Sequence, residues 1–128
     1  MRFLLDTQIF LWWIADDPRL SEKVREIMRN VENRLFLSAA SGWEIAIKAK
    51  LGRIRLPQNP QGFVARQLSA NAIESLPIQM SHALHTFALT PYHRDPFDRI
   101  IVAQAQLEKL TVLSSDPQIA RYDIKVIR

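Results

Sequence analysis

Apolar positions along the chain fall into two alternating rhythms. Short buried runs read as strands: Phe3-Leu4-Leu5, Leu35-Phe36-Leu37, Ile73 to Leu76 and Thr111-Val112-Leu113, with a last one over Ile124 to Ile127. Between them the period lengthens. Val24, Ile27, Met28 and Val31 recur at helical spacing and predict an amphipathic helix. Trp43, Ile47 and Leu51 line one face of another, stopped by Gly52. A weaker helix is expected over about residues 61–70 and a short one begun by Ser81. A long one opens at Asp95-Pro96 and runs to about Lys109, and a helical turn follows Asp116. Residues 8–15 are apolar on every side, so that helix needs cover from two directions. Trp12, Trp13 and Trp43 are therefore expected in the core or at a subunit interface.

Strand and helix alternate from end to end. That order predicts an α/β fold in one domain spanning residues 1–128. Its sheet would be central and mostly parallel, with four to five short strands and helices on both faces. Pro57 to Pro60 is the one hinge-like stretch, and it lies inside that domain.

Composition narrows the function classes. Hydrophobic residues make up 48% of the 128 positions, the level of a folded globular protein. No apolar run approaches the ~20 residues that cross a bilayer. The opening Met-Arg-Phe-Leu-Leu-Asp meets an acid too early for a secretory leader, so a cytoplasmic location is expected. Without cysteine there is neither a disulfide framework nor a thiolate zinc site. Seventeen Lys and Arg against thirteen Asp and Glu give a net charge of +4. If several acids are gathered in one place, the remaining surface is more basic still, an arrangement suited to a polyanion held over cations.

Four acids follow strands or open helices: Asp6, Glu44, Asp98 and Asp116. Each has a local explanation. Ser41 to Glu44 has the form of a capping box, and Asp95 to Asp98 has the same form with proline in the first turn. Asp116-Pro117 reads as a cap, and Asp6 could simply end a strand. The expected fold adds a second reading. In an open parallel sheet the strand-to-helix junctions share one edge, where ligands bind. Acids crowded there repel unless protons or cations compensate. An oxygen-only donor set favours a hard ion, Mg²⁺ or Mn²⁺, which can activate water against a phosphodiester. Thr7, Ser38, Ser114 and Ser115 flank the junctions as hydroxyls that could orient water or a carboxylate, or serve as ordinary caps. Asp95 is a cap or an auxiliary ligand. Arg94, Arg99 and Lys48 are candidate phosphate contacts, although Lys48 is also spaced to pair with Glu44 on a helix. His93 is a candidate phosphate contact or a loop histidine without a role.

With these pieces in order, the chain resembles a PIN-domain ribonuclease of the VapC toxin type. The resemblance is carried by LLDTQIFLWW, LSAASGWEIAIKAKLG, LPI, HRDPFDRIIVAQA and LSSD, over nearly the full length. It implies a small α/β fold and Mg²⁺- or Mn²⁺-dependent cleavage of RNA, with a cognate antitoxin and a homodimer as partners. It places the catalytic and metal-holding acids at Asp6, Glu44, Asp98 and Asp116, with Thr7, Asp95 and Ser115 assisting. Gln8 stands where relatives often carry histidine, and LSSD replaces a commoner threonine form; neither change removes an acid.

Two other classes fit parts of the pattern. A non-catalytic PIN-like module binding RNA or protein would be marked by a lost acid, and none is lost. A phosphatase of the haloacid dehalogenase type would want a second aspartate at position 8, which is Gln8.

Overall fold

The computed structural model describes all 128 residues. Five strands, β1 (Arg2–Leu5), β2 (Arg34–Ser38), β3 (Ile73–Leu76), β4 (Thr111–Leu113) and β5 (Val126–Ile127), form one sheet in the order β3-β2-β1-β4-β5. Every neighbouring pair is parallel, in line with the mostly parallel sheet expected from the alternation of elements. Six α-helices accompany them: α1 (Thr7–Ala15), α2 (Glu22–Arg29), α3 (Ala39–Lys50), α4 (Pro60–Ala70), α5 (Met80–His85) and α6 (Pro96–Glu108). The turn after Asp116 is a short 3₁₀ segment, Ile119–Arg121.

The sheet is apolar on both faces because its strands alternate between two cores. Phe3, Leu5, Leu35, Leu37 and Leu113 point one way and meet Ile9, Phe10, Val24, Met28 and Ile45 from α1, α2 and α3. Leu4, Phe36 and Val112 point the other way onto Ile101, Val102, Ala103 and Ala105 of α6. Burying one such side chain contributes about 1.5–3 kcal/mol, so these central positions hold the strands in register.

Several local expectations shift. Helix α2 ends at Arg29, leaving Val31 in the following turn and 93% exposed. Helix α5 starts at Met80, behind Gln79 rather than Ser81. Gly52 does adopt a left-handed conformation after α3, with φ of +75°. The largest shift is the rotation of α3. Trp43 and Leu51 face outward, 63% and 61% exposed, while Ala40, Ser41, Glu44 and Ile45 face inward. Trp12 and Trp13 pack against the first core as expected; Trp43 does not, and instead meets Phe97 edge to face with ring centroids 5.1 Å apart.

Candidate active site at the C-terminal edge of the sheet

The chain runs from β1 outward to β2 and β3, then returns to β4 on the other side of β1. The switch in direction therefore falls between β1 and β4, where open parallel sheets leave a crevice beyond the strand ends. The register sets Leu5 beside Leu113, so the next residues, Asp6 and Ser114, emerge side by side. The Asp6 backbone N–H donates to the Leu113 carbonyl at 3.1 Å.

Each acid arrives from a different element. Asp6 is the N-cap of α1: its Oδ1 accepts the Ile9 N–H at 2.7 Å, and its Oδ2 accepts the Ser114 hydroxyl. Glu44 comes from the inward face of α3. Its Oε1 accepts the Thr7 hydroxyl at 2.8 Å and its Oε2 pairs with Lys48 Nζ at 2.6 Å. The expected capping box at Ser41 does not form. Ser38 caps α3 instead, its Oγ accepting the Ala40 N–H, because the helix begins directly at the end of β2. Ser41, freed from capping, lies 2.8 Å from the Thr7 hydroxyl. Asp98 rides in the first turn of α6, where the helix dipole favours a negative charge. That helix is capped by Asp95, which accepts the Phe97 N–H at 2.8 Å. Asp116 follows β4 and caps a turn through the Gln118 N–H.

These side chains share one cleft of about 320 Å³, lined by Asp6, Thr7, Glu44, Lys48, Asp95, Asp98, Ser115 and Asp116 together with Gln8, Leu11 and Trp12. Eight of the residues singled out from sequence as acids, auxiliaries or phosphate contacts thus meet in one place. Arg99 and Arg94 do not. Arg99 donates to the backbone carbonyls of Thr86 and His93, at 2.8 and 3.3 Å, and so fastens the loop before α6 rather than facing the cleft. Arg94 is exposed and does not line the cleft. Lys48 is spent on Glu44, the pairing its i,i+4 spacing allowed.

Sequence reasoning undervalued His93. Its Nε2 lies 2.8 Å from Asp116 Oδ2 and 3.0 Å from Asp98 Oδ2. Ligating atoms of His93, Asp98 and Asp116 all fall within 4.8 Å of one another. Nothing in the local pattern around residue 93 reports this.

The electrostatic consequence is carboxyls held above their usual range. Burial pushes Asp6 up to about 6, against hydrogen bonds from Ser114 and Ile9, and the charges of Asp116 and Glu44 add to the rise. Asp98 is pushed up to about 7, chiefly by burial and then by Asp95, with His93 opposing and Glu44 and Asp6 reinforcing. Burial, reinforced by the neighbouring acids, outweighs the donors that reach these carboxyls.

The PIN domain profile matches residues 3–125. The chain belongs to the PIN domain family. Among curated proteins, ribonuclease VapC16 of Mycobacterium tuberculosis is 33% identical over 72 residues, 53% of this chain and 51% of that protein. The chain therefore matches about half the length of that PIN relative. Two solved structures share the fold. VapBC2 of Rickettsia felis bound to promoter DNA superposes with a TM-score of 0.72 at 16% identity, over 99% of this chain and 98% of that one. A toxin–antitoxin complex from Klebsiella pneumoniae gives 0.66 at 17%, over 98% and 95%. The PIN fold expected from the sequence is the fold observed, and no helix is long and apolar enough to cross a membrane.

Proposed function

We propose that this PIN domain is a divalent-metal-dependent endoribonuclease, the toxin of a toxin–antitoxin pair, acting in the cytoplasm. The observation that carries the reading is the convergence of Asp6, Glu44, Asp98 and Asp116 from four separate elements on one cleft. A relative named as a ribonuclease and a like-folded chain of a toxin–antitoxin complex support it.

The donor set fits a hard divalent cation. It is built of carboxylate oxygens, and Asp6 and Asp98, raised first by burial and then by neighbouring acids, would be eased by a bound cation. Asp6, Asp98 and Glu44 would hold Mg²⁺ or Mn²⁺, with Asp116 completing the negative wall. When bound, such an ion lowers the pKa of a water and neutralises charge on a phosphodiester.

The remaining work belongs to the chain. Ser114 fixes the rotamer of Asp6 from one side and the α1 amide fixes it from the other. Thr7 and Lys48 hold both oxygens of Glu44, so that carboxylate is oriented before anything binds. Preset side chains of this kind lower the reorganisation needed at the reacting phosphate. Lys48 lines the cleft with its ammonium paired to Glu44.

The decisive experiment is cleavage of a mixed RNA substrate by purified protein, with and without EDTA, alongside Asp6→Asn and Asp98→Asn. Cleavage that EDTA and either substitution abolish is the expected result. Cleavage undiminished in both variants would overturn the assignment. Co-expression with the neighbouring reading frame tests the antitoxin, and sedimentation equilibrium tests the homodimer.

A further inference from the structure

The two ring nitrogens of His93 have different partners. Nδ1 accepts the backbone N–H of Asp95 at 3.2 Å. A nitrogen that accepts a hydrogen bond carries no proton, so the proton of the neutral ring lies on Nε2. That N–H is the one aimed at Asp116 Oδ2, with Asp98 Oδ2 3.0 Å away. The residue is fixed in its backbone as well. Its N–H donates to the Tyr122 hydroxyl at 3.0 Å, and its carbonyl receives the Arg99 guanidinium. With 16% of its side chain exposed, the ring has little freedom to turn.

We propose that His93 is a positioning residue that works by hydrogen-bond donation, its Nε2–H tying the Asp116 carboxylate beside that of Asp98 and so spacing two of the four acids. The proposal rests on the metal-dependent reading above and adds to it a role in cation binding. Geometry separates a donor from a ligand here. Nε2 could ligate a cation only if the proton moved to Nδ1, where it would confront the Asp95 amide hydrogen. The two acids also differ in their need of a tie. Asp98 is carried by a regular helix, whereas Asp116 sits on the irregular stretch between β4 and the 3₁₀ turn. Groups that hold ligating carboxylates in place commonly govern metal affinity by ten- to a hundredfold.

The test uses the full chain and Mn²⁺ alone. Calorimetry on His93→Ala is expected to give Mn²⁺ binding weaker by about tenfold or more. His93→Gln, whose side-chain amide offers an N–H at similar reach, is expected to recover most of it, with melting curves showing both variants folded. Pulsed electron paramagnetic resonance of the Mn²⁺-loaded wild type should show no directly bound imidazole nitrogen. Long-range ¹H–¹⁵N spectra of the metal-free wild type should place the His93 proton on Nε2. A coordinated nitrogen, a proton on Nδ1, or full Mn²⁺ affinity in folded His93→Ala would each overturn the proposal. If the wild type takes up no Mn²⁺, the ribonuclease reading falls and the spectra decide the tie alone. A shift of the Nε2–H resonance in Asp116→Ala then supports it, and an unmoved resonance overturns it.

Discussion

Helix α6 carries a histidine–carboxylate contact at each end, and the two are built alike. At its start, His93 approaches Asp98; at its finish, His82 Nε2 lies 3.5 Å from Glu108. In both rings Nδ1 accepts a backbone N–H, from Asp95 in one and Gln79 in the other, leaving Nε2 toward the acid. Their surroundings differ. His82 is 2% exposed, completes the cap of α5, and has a single acid near it. His93 touches Asp98 and Asp116, two of the acids that a cleft collects from four elements. A histidine beside a carboxylate is thus a packing device in one place and part of a candidate site in the other. Convergence of charge from distant segments makes the difference, not the pair itself.

The comparison can be broken first at the cleft. Asp98→Asn keeps the shape and removes the charge, so RNA cleavage should fall by about a thousandfold or more, about 4 kcal/mol in barrier, with the fold retained. Loss of fold instead would make the His93–Asp98 contact a packing device like that of His82.

At the other end, His82→Ala should unfold more easily by about 2–3 kcal/mol. It opens a cavity and strands the Gln79 amide that the ring now satisfies. Chemical denaturation measures this, and cleavage per folded molecule should stay at the wild-type value. A drop in Mn²⁺ affinity in this variant would erase the distinction between the two contacts.

A smaller effect concerns pH. Asp6 and Asp98 titrate near 6 and 7 in the fold, above the ordinary 3.8. Their protonated forms favour the folded state. The stabilisation is complete below the ordinary carboxyl value and is lost as pH rises through 6 to 7. Chelator-treated protein should therefore melt lower at pH 8 than at pH 5, by about 1–3 kcal/mol of stability. Saturating Mn²⁺ should flatten the slope, and Asp6→Asn, still able to cap α1, should reduce it. Calorimetric melts across that range without any slope would mean the acids are already neutralised by their neighbours. The smallest change expected is from Lys48→Ala. Its half-exposed pairing with Glu44 contributes a few tenths of a kcal/mol to stability, and a denaturation midpoint resolves it.

Local patterning made much of this protein legible. Runs such as Phe3-Leu4-Leu5 and Leu35-Phe36-Leu37 announce strands because both faces of a central parallel strand are covered. Asp95-Pro96 announces a helix start because the missing proline N–H is not needed there. The acids were visible for a related reason: strand ends and helix starts recur at one edge of such a sheet, so position along the chain implies position in space. Other features were not local. The rotation of α3 ran against its own apolar stripe, sending Trp43 outward and Glu44 inward. The inner face of α3 meets the first core through Ile45 and Thr7 at the cleft through Glu44. Ser38 displaced Ser41 as cap because β2 runs straight into the helix. Arg99 turned to the carbonyls of Thr86 and His93, and His93 to Asp116, through loops whose path no periodicity encodes. By itself, then, the sequence determined the elements, their parallel arrangement and which acids stand at the sheet edge, since these follow from periods of two and 3.6 residues and from cap chemistry. The tertiary structure alone decided which hydroxyl or imidazole holds each acid. The amide caps are local, but Ser114 for Asp6, Thr7 for Glu44 and His93 for Asp116 lie far along the chain, and only its closing brings them within 3 Å.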